Sequence, residues 1–154
     1  MKCNASGIGI IKEFEGCRLM PYRDTGGVLT QGYGHTGDDI IEGVLWKQER
    51  AESFLLNDLL CDAEIPIKSL VKVPLNENQF SALCSFVFNI GSGHFRDSTL
   101  LKLLNRGWHD QVPNQLMRWN RDNGKILGGL TRRRAAEVVL WNKPILGDSN
   151  VTSS

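Results

Sequence analysis

Between Glu15 and Thr36 the chain reads EGCRLMPYRDTGGVLTQGYGHT, which places one glutamate, one aspartate, three threonines, a histidine and five glycines in 22 positions. Glycines at 26, 27, 32, 34 and 37 favour tight turns and close backbone approach. Ahead of them, Ile8, Ile11 and Phe14 recur at helical spacing from Ser6 onward, with Ser6 a candidate N-cap and Gly16 a stop. PYRDTGG has turn chemistry, and VLTQGYG is short and β-leaning, so Gly26-Gly27 signals a hairpin. The chain therefore leaves a helix, reverses, and draws Glu15, Asp24 and Thr30 around one space. A sheet confined to residues 17–37 is too small for a core of its own and must lean on neighbouring helices.

Two carboxylates in different settings are what acid-catalysed cleavage of a glycosidic bond requires. One donates a proton to the leaving oxygen; the other stays ionised and activates water or stabilises the cation. Glu15, among Ile11, Phe14 and Leu19, suits the first role, and Asp24, beside Arg23 in a polar turn, suits the second. From residue types alone, a glutamate ending a helix and an aspartate in a turn are equally well explained as ordinary structure.

Beyond the sheet, residues 46–70 carry a long helical pattern. Leu55, Leu56, Leu59, Leu60, Ala63 and Ile67 form its stripe, and Phe54 falls on the polar side. Pro66 predicts a kink or an end near Ile65. Asn76 with Gln79 resembles a capping box, and the QFSALCSFVFNIG that follows is apolar on most faces, as a central buried helix should be. Gly91 and Gly93 stop it, and Ser98 or Asp97 opens a leucine-rich helix ending near Gly107. Trp108, Val112, Leu116 and Trp119 continue a helical stripe, NRDNGKILGGL reads as a loop, and Thr131 caps a last helix that turns Ala135, Val138 and Trp141 inward. The tail from Asn142 reads as frayed. The whole is α+β and helix-dominated: one domain over 1–154, with a small N-terminal β-sheet lobe over about 15–45. A larger helical lobe takes 70–145 plus 1–14, and a helix over 46–70 joins the two.

The formal net charge of +1 hides an asymmetry. Residues 1–77 carry 8 Lys and Arg against 12 Asp and Glu, whereas 78–154 carry 10 against 5. Arg118, Arg121, Lys125 and Arg132 to Arg134 are available as cations, but there is no dense basic stripe of the kind that binds nucleic acid. Cys3, Cys17, Cys61 and Cys84 have neither CxxC nor Cys/His metal spacing, and Cys61 and Cys84 lie where a free thiol packs as a small hydrophobe. Reduced thiols and cytosolic synthesis are expected. His35 is expected to be structural, and Asp38, Asp39 and Glu42 match no calcium loop. The N-terminus shows no apolar core of a signal peptide, and no run approaches the roughly 20 residues of a membrane span.

The spacing Glu15-x8-Asp24-x5-Thr30, with GYGHT after it, resembles the phage-type lysozymes, the endolysins of glycoside hydrolase family 24. The likeness continues in SFVFNIGSGHFRDSTLLKLLN (85–105) and GLTRRRAAEVVLW (129–141), in the expected order. The resemblance implies a lysozyme-like fold with a cleft between the lobes and hydrolysis of the β-1,4 bond between N-acetylmuramic acid and N-acetylglucosamine. It makes Glu15 the general acid, Asp24 the second carboxylate and Thr30 the residue beside the attacking water. It places Thr36, Phe88 and Ser98 on the cleft wall as saccharide contacts, and Asn114 as a further one that Pro113 disturbs. It implies no cofactor and no metal, peptidoglycan glycan strands as partner, no nucleic acid, no stable membrane insertion and a monomer. It further implies storage in the host cytoplasm until a holin opens the membrane. Two alternatives remain open: a lytic transglycosylase using Glu15 alone, and a non-catalytic module binding cell wall or nucleic acid.

Overall fold

The computed structural model describes residues 1–146. Helix α1 (Ala5–Glu15) opens two residues earlier than a cap at its serine implies, because Asn4, not Ser6, is the N-cap: its side chain accepts from the Gly7 amide. Gly16 ends α1 at φ 70°, and the chain enters the three-stranded antiparallel sheet β1 (Arg18–Arg23), β2 (Leu29–Gly32) and β3 (His35–Thr36), in the order β1-β2-β3. Tyr22 pairs with Thr30, and Thr30 pairs in turn with Thr36.

The sheet leans on the helix that follows, as its size demands. Buried Gln31 donates from Nε2 to the carbonyls of Leu19 and Val44 at 2.7 and 2.8 Å, tying sheet to loop. Gly32 at φ 68° lies so close to Trp46 that a Cβ would stand 3.1 Å from its ring. Phe54, expected on the polar side of its helix, instead stacks on Trp46 at 4.6 Å between ring centroids and meets His35 at 4.4 Å. Helical spacing placed it correctly relative to Leu55; what periodicity omits is that the small lobe covers this second face.

Helix α2 (Gln48–Leu59) does not end at Pro66. A π turn, Leu60–Glu64, carries the chain straight into α3 (Ile65–Leu70), with Pro66 in the first turn of α3. The Ile65 amide bonds back to the Leu60 carbonyl, so the widened turn lies directly ahead of the residue that brings no amide donor. The buried stripe is Ala51, Leu55, Leu59, Ala63 and Ile67; Leu56 and Leu60 face solvent, and so does Cys61.

Helix α4 (Glu77–Ile90) is the centre of the larger lobe. Its Asn76–Gln79 capping box is present, and Phe80, Ala82, Leu83, Cys84, Phe86 and Val87 are all buried. Against it pack α1, α3, the π turn, α5 (Ser92–Arg96) and α8 (Gly128–Asn142), with α8 and α1 making the widest contacts, and α6 (Thr99–Asn105) and α7 (Val112–Met117) link α5 to α8. The approach of α1 to α4 needs Gly7: a Cβ there would meet the Ser81 carbonyl at 2.9 Å and Cys3 Sγ at 2.6 Å. Gly7→Ala is therefore expected to lower stability by about 1–3 kcal/mol despite alanine's better helix propensity, a loss that urea denaturation would read.

Three further expectations are corrected. Trp108 is exposed, because the chain passes through a 3-10 turn (His109–Gln111) before α7 begins beside Pro113. The segment read as a loop contains a two-stranded hairpin, β4 (Arg121–Asp122) and β5 (Lys125–Ile126), turned by Asn123 and Gly124, both at positive φ. Helix α8 starts at Gly128 with Leu127 as N-cap, so Thr131 lies inside it, its hydroxyl donating to the Leu127 carbonyl and accepting from Asn120. At the C-terminus, Asn78 donates to the Lys143 carbonyl at 3.0 Å; the part of the expected frayed tail beyond 146 lies outside the described residues. No described helix is long and apolar enough to cross a membrane.

Candidate functional site

Glu15 stands at the last position of α1, where the chain crosses from the helical lobe into the sheet. Its side chain is 23% exposed, and the apolar setting expected for it is not what it meets. Arg133 Nη1, from α8, donates to Glu15 Oε2 at 2.7 Å. The other oxygen, Oε1, faces Gly34 of the sheet lobe, where an added Cβ would stand 3.1 Å away. Gly34 has φ 76°, a backbone conformation that favours glycine, and an added side chain there would also press on the carboxylate. The carboxyl is thus gripped from the helical lobe on one oxygen and approached by the small lobe on the other.

Asp24 follows β1 at the hairpin turn and is exposed. Its Oδ1 accepts from the amides of Gly26 at 2.9 Å and Val28 at 2.8 Å, an Asx turn that fixes the side chain and leaves Oδ2 without a hydrogen bond among the described residues. Thr30, on β2, is buried and donates from Oγ1 to the Val28 carbonyl at 2.9 Å. Asp24 and Thr30 are therefore joined through one residue, Val28. Thr36, exposed on β3, is the register partner of Thr30. One small sheet thus carries three of the expected site residues.

The helical lobe supplies the others less directly. Phe88 lies on α4 one turn beyond Ser85, half-buried against the core. Ser98 is 4% exposed and spends its hydroxyl on structure: it donates to the Phe95 carbonyl at 2.7 Å and accepts from the Leu101 amide at 3.1 Å as the N-cap of α6. No hydrogen bond or ion pair among the described residues links Ser98 to Glu15.

Sequence reasoning missed Arg133. By residue type RRRAAE offers three available cations, yet only Arg132 of its arginines is exposed; Arg133, Arg134 and Glu137 are buried and Ala135 is not. Arg133 Nη2 donates to the Ser85 carbonyl at 3.1 Å, and its Nε to Ser85 Oγ at 3.3 Å and toward Glu137 Oε2 at 3.5 Å. Ser85 Oγ donates to the same Glu137 oxygen at 2.5 Å. Arg134 Nε faces Glu137 Oε1 at 3.1 Å, its Nη2 donates to Asn89 Oδ1, and its guanidinium lies over Phe86. Burial pushes the Glu137 carboxyl up, against the pull of Arg134, Ser85 and Arg133, and brings Arg134 down to about 10 despite Glu137. Each ion is costly in this interior, and their mutual pairing offsets that cost.

His35 forms a second polar centre, between sheet and helix. Its Nδ1 meets Asp58 Oδ2 at 2.7 Å and its Nε2 meets Asp39 Oδ1 at 2.9 Å. Burial by itself lowers the His35 pKa, but the two carboxylate hydrogen bonds outweigh it and hold the pKa above the ordinary value. A group raised in this way stabilises the fold fully below its unfolded pKa, about 6.5, and loses that contribution as pH rises through the folded value. The stability difference between wild type and His35→Asn is expected to shrink from about pH 6.5 upward, by about 1.4 kcal/mol per unit of elevation; denaturation at a series of pH values reads it. Among the described residues no group of three or more His, Cys, Asp or Glu has the arrangement to hold a metal ion.

The phage lysozyme family model matches residues 12–137. An endolysin from Acyrthosiphon pisum secondary endosymbiont phage 1 is 42% identical over 92% of this chain and 98% of its own length. Among solved structures, the muramidase domain of SpmX from Asticaccaulis excentricus superposes with a TM-score of 0.85 at 37% identity, covering 93% of this chain and 99% of that one. A variant of P22 lysozyme does so with a TM-score of 0.83 at 34% identity, covering 93% and 99%. The chain spans about half the length of other curated relatives, the endolysins of Bacillus phages B103 and PZA, at 54% and 55% of their lengths.

Proposed function

The chain belongs to the phage lysozyme family, and we propose that it hydrolyses the β-1,4 bond between N-acetylmuramic acid and N-acetylglucosamine in peptidoglycan, as an endolysin in host lysis. The observation that carries this reading is the placement of Glu15 at the junction of the lobes, fixed on one oxygen by a buried guanidinium and facing glycine backbone on the other. Glu15 is the proton donor to the leaving oxygen. Asp24, held by two amides on Oδ1, presents Oδ2 to a water, and Thr30 stands beside it on the paired strand. Thr36 and Phe88 line the glycan path from the two lobes. Ser98 brings no free donor to that path, since its hydroxyl proton is already committed to the Phe95 carbonyl. Action follows release from the host cytoplasm through a membrane opened by a holin.

Product analysis tests the reaction. Purified peptidoglycan digested by the protein should release muropeptides with reducing ends heavier by one water than their 1,6-anhydro counterparts. Anhydro ends would make it a transglycosylase. Tight binding to peptidoglycan with no released sugar would make it a wall-binding module and end the enzymatic reading.

A further inference from the structure

The contact between Arg133 and Glu15 is one end of a longer construction. Arg133 reaches Glu15 with one nitrogen only, Nη1. Its other two nitrogens, Nη2 and Nε, are engaged deeper, by Ser85 and Glu137, on the side away from the junction. A long arginine side chain held at one point swings; held at both ends of its planar fork, it has one orientation. Glu137 is fully buried, lies one turn along α8 from Arg133, and shares the oxygen Oε2 between Ser85 and Arg133. Its other oxygen faces Arg134, whose own position is fixed by Asn89 and Phe86 of α4. Two helices and one carboxylate therefore determine where the guanidinium points.

We propose that Glu137, acting with Ser85, is a positioning residue for the reaction: it fixes Arg133 so that Nη1 holds the Glu15 carboxyl in the geometry for proton donation. The inference rests on Glu15 being the proton donor. Glu137 is fully buried and has no hydrogen bond or ion pair with Glu15 among the described residues, so its effect on Glu15 runs through Arg133. Charge alone does not supply this role, since Arg132 is also cationic and adjacent in sequence but exposed. What Glu137 adds is orientation, for which the ordering of the side chain must already be complete before substrate arrives.

The test compares wild type, Glu137→Gln, Ser85→Ala and Leu100→Ala, each at a temperature where circular dichroism shows it folded. Leu100→Ala opens a cavity in the same lobe away from this network and reports destabilisation alone. Glu137→Gln is expected to lower kcat on solubilised peptidoglycan by on the order of 10-fold to 10²-fold with KM unchanged, and Ser85→Ala in the same direction by less. Leu100→Ala should keep kcat. The Arg133 Nε–H resonance in NMR spectra should move in the first two variants and stay in the third. An unchanged kcat in folded Glu137→Gln, or an equal fall in Leu100→Ala, overturns the proposal. If Glu137→Gln does not fold, Ser85→Ala decides by the same criteria. A wild type without hydrolytic activity sinks the functional reading, and the Arg133 resonance still tells whether Glu137 orients that side chain.

Discussion

Glu15→Gln is expected to slow the clearing of outer-membrane-permeabilised cells by at least about 10²–10⁴-fold, the range general acid catalysis contributes. The substitution is sterically conservative. A glutamine oxygen still accepts from Arg133 Nη1, and Gly34 still leaves room for the terminal group. What is lost is the transferable proton. The stability cost should be small, within about 1 kcal/mol, because the Glu15 side chain is partly exposed and Arg133 keeps Glu137 as its deeper counter-ion. Loss of activity with an unchanged melting temperature would therefore locate the chemistry rather than the fold. Clearing by the variant at the wild-type rate would remove Glu15 from the reaction, and with it the argument that the junction of the lobes is where cleavage happens.

What could be read from the chain beforehand was whatever depends on local chemistry. The capping box at Asn76 and the glycine stops at 16 and 91 appear where the residues place them. The hairpin turn closed by Asp24 also follows from its own residues: a short polar side chain two and four positions before free amides has one economical conformation. The Asn123-Gly124 hairpin has turn chemistry of the same kind, since both residues tolerate positive φ, but strands of two residues each give no alternation to notice, and the segment reads as a loop. Tertiary partners were not legible. Nothing in the spacing of α2 shows that a sheet will cover Phe54, and the residue types of RRRAAE alone do not distinguish a solvated basic turn from one whose middle charges are buried against serine and glutamate. Amphipathic reading assumes that charge points outward; in α8 Arg133, Arg134 and Glu137 neutralise one another and Glu15, so the face with the most charge is the buried one. The signal that would have found them is the i to i+4 spacing of Arg133 and Glu137 combined with too few apolar residues to fill an inward stripe.

Arg133→Ala should carry a large stability cost, about 3–5 kcal/mol, because it removes one partner of a buried charge cluster and leaves the others in place. Glu137, fully buried, would retain Ser85 and an Arg134 whose Nε lies at 3.1 Å without hydrogen-bond alignment, so its Oε2 would lose the one cation paired with it among the described residues. The Ser85 carbonyl would lose its side-chain donor as well. Activity should fall together with stability, since Glu15 Oε2 would be left without the group that holds it. Arg133→Lys separates the two contributions. An ammonium keeps the charge but is a single point, and it cannot reach Glu15, the Ser85 carbonyl and Ser85 Oγ with the fork that now spans them. If charge alone matters, the lysine variant should recover both stability and rate. If orientation matters, stability should return in part while the rate stays close to that of the alanine variant. Urea denaturation and initial rates on permeabilised cells, measured on the same preparations, distinguish these cases. An alanine variant as stable as wild type would mean that the buried carboxylate does not need Arg133, and that the grip on Glu15 is not anchored in the interior of the helical lobe.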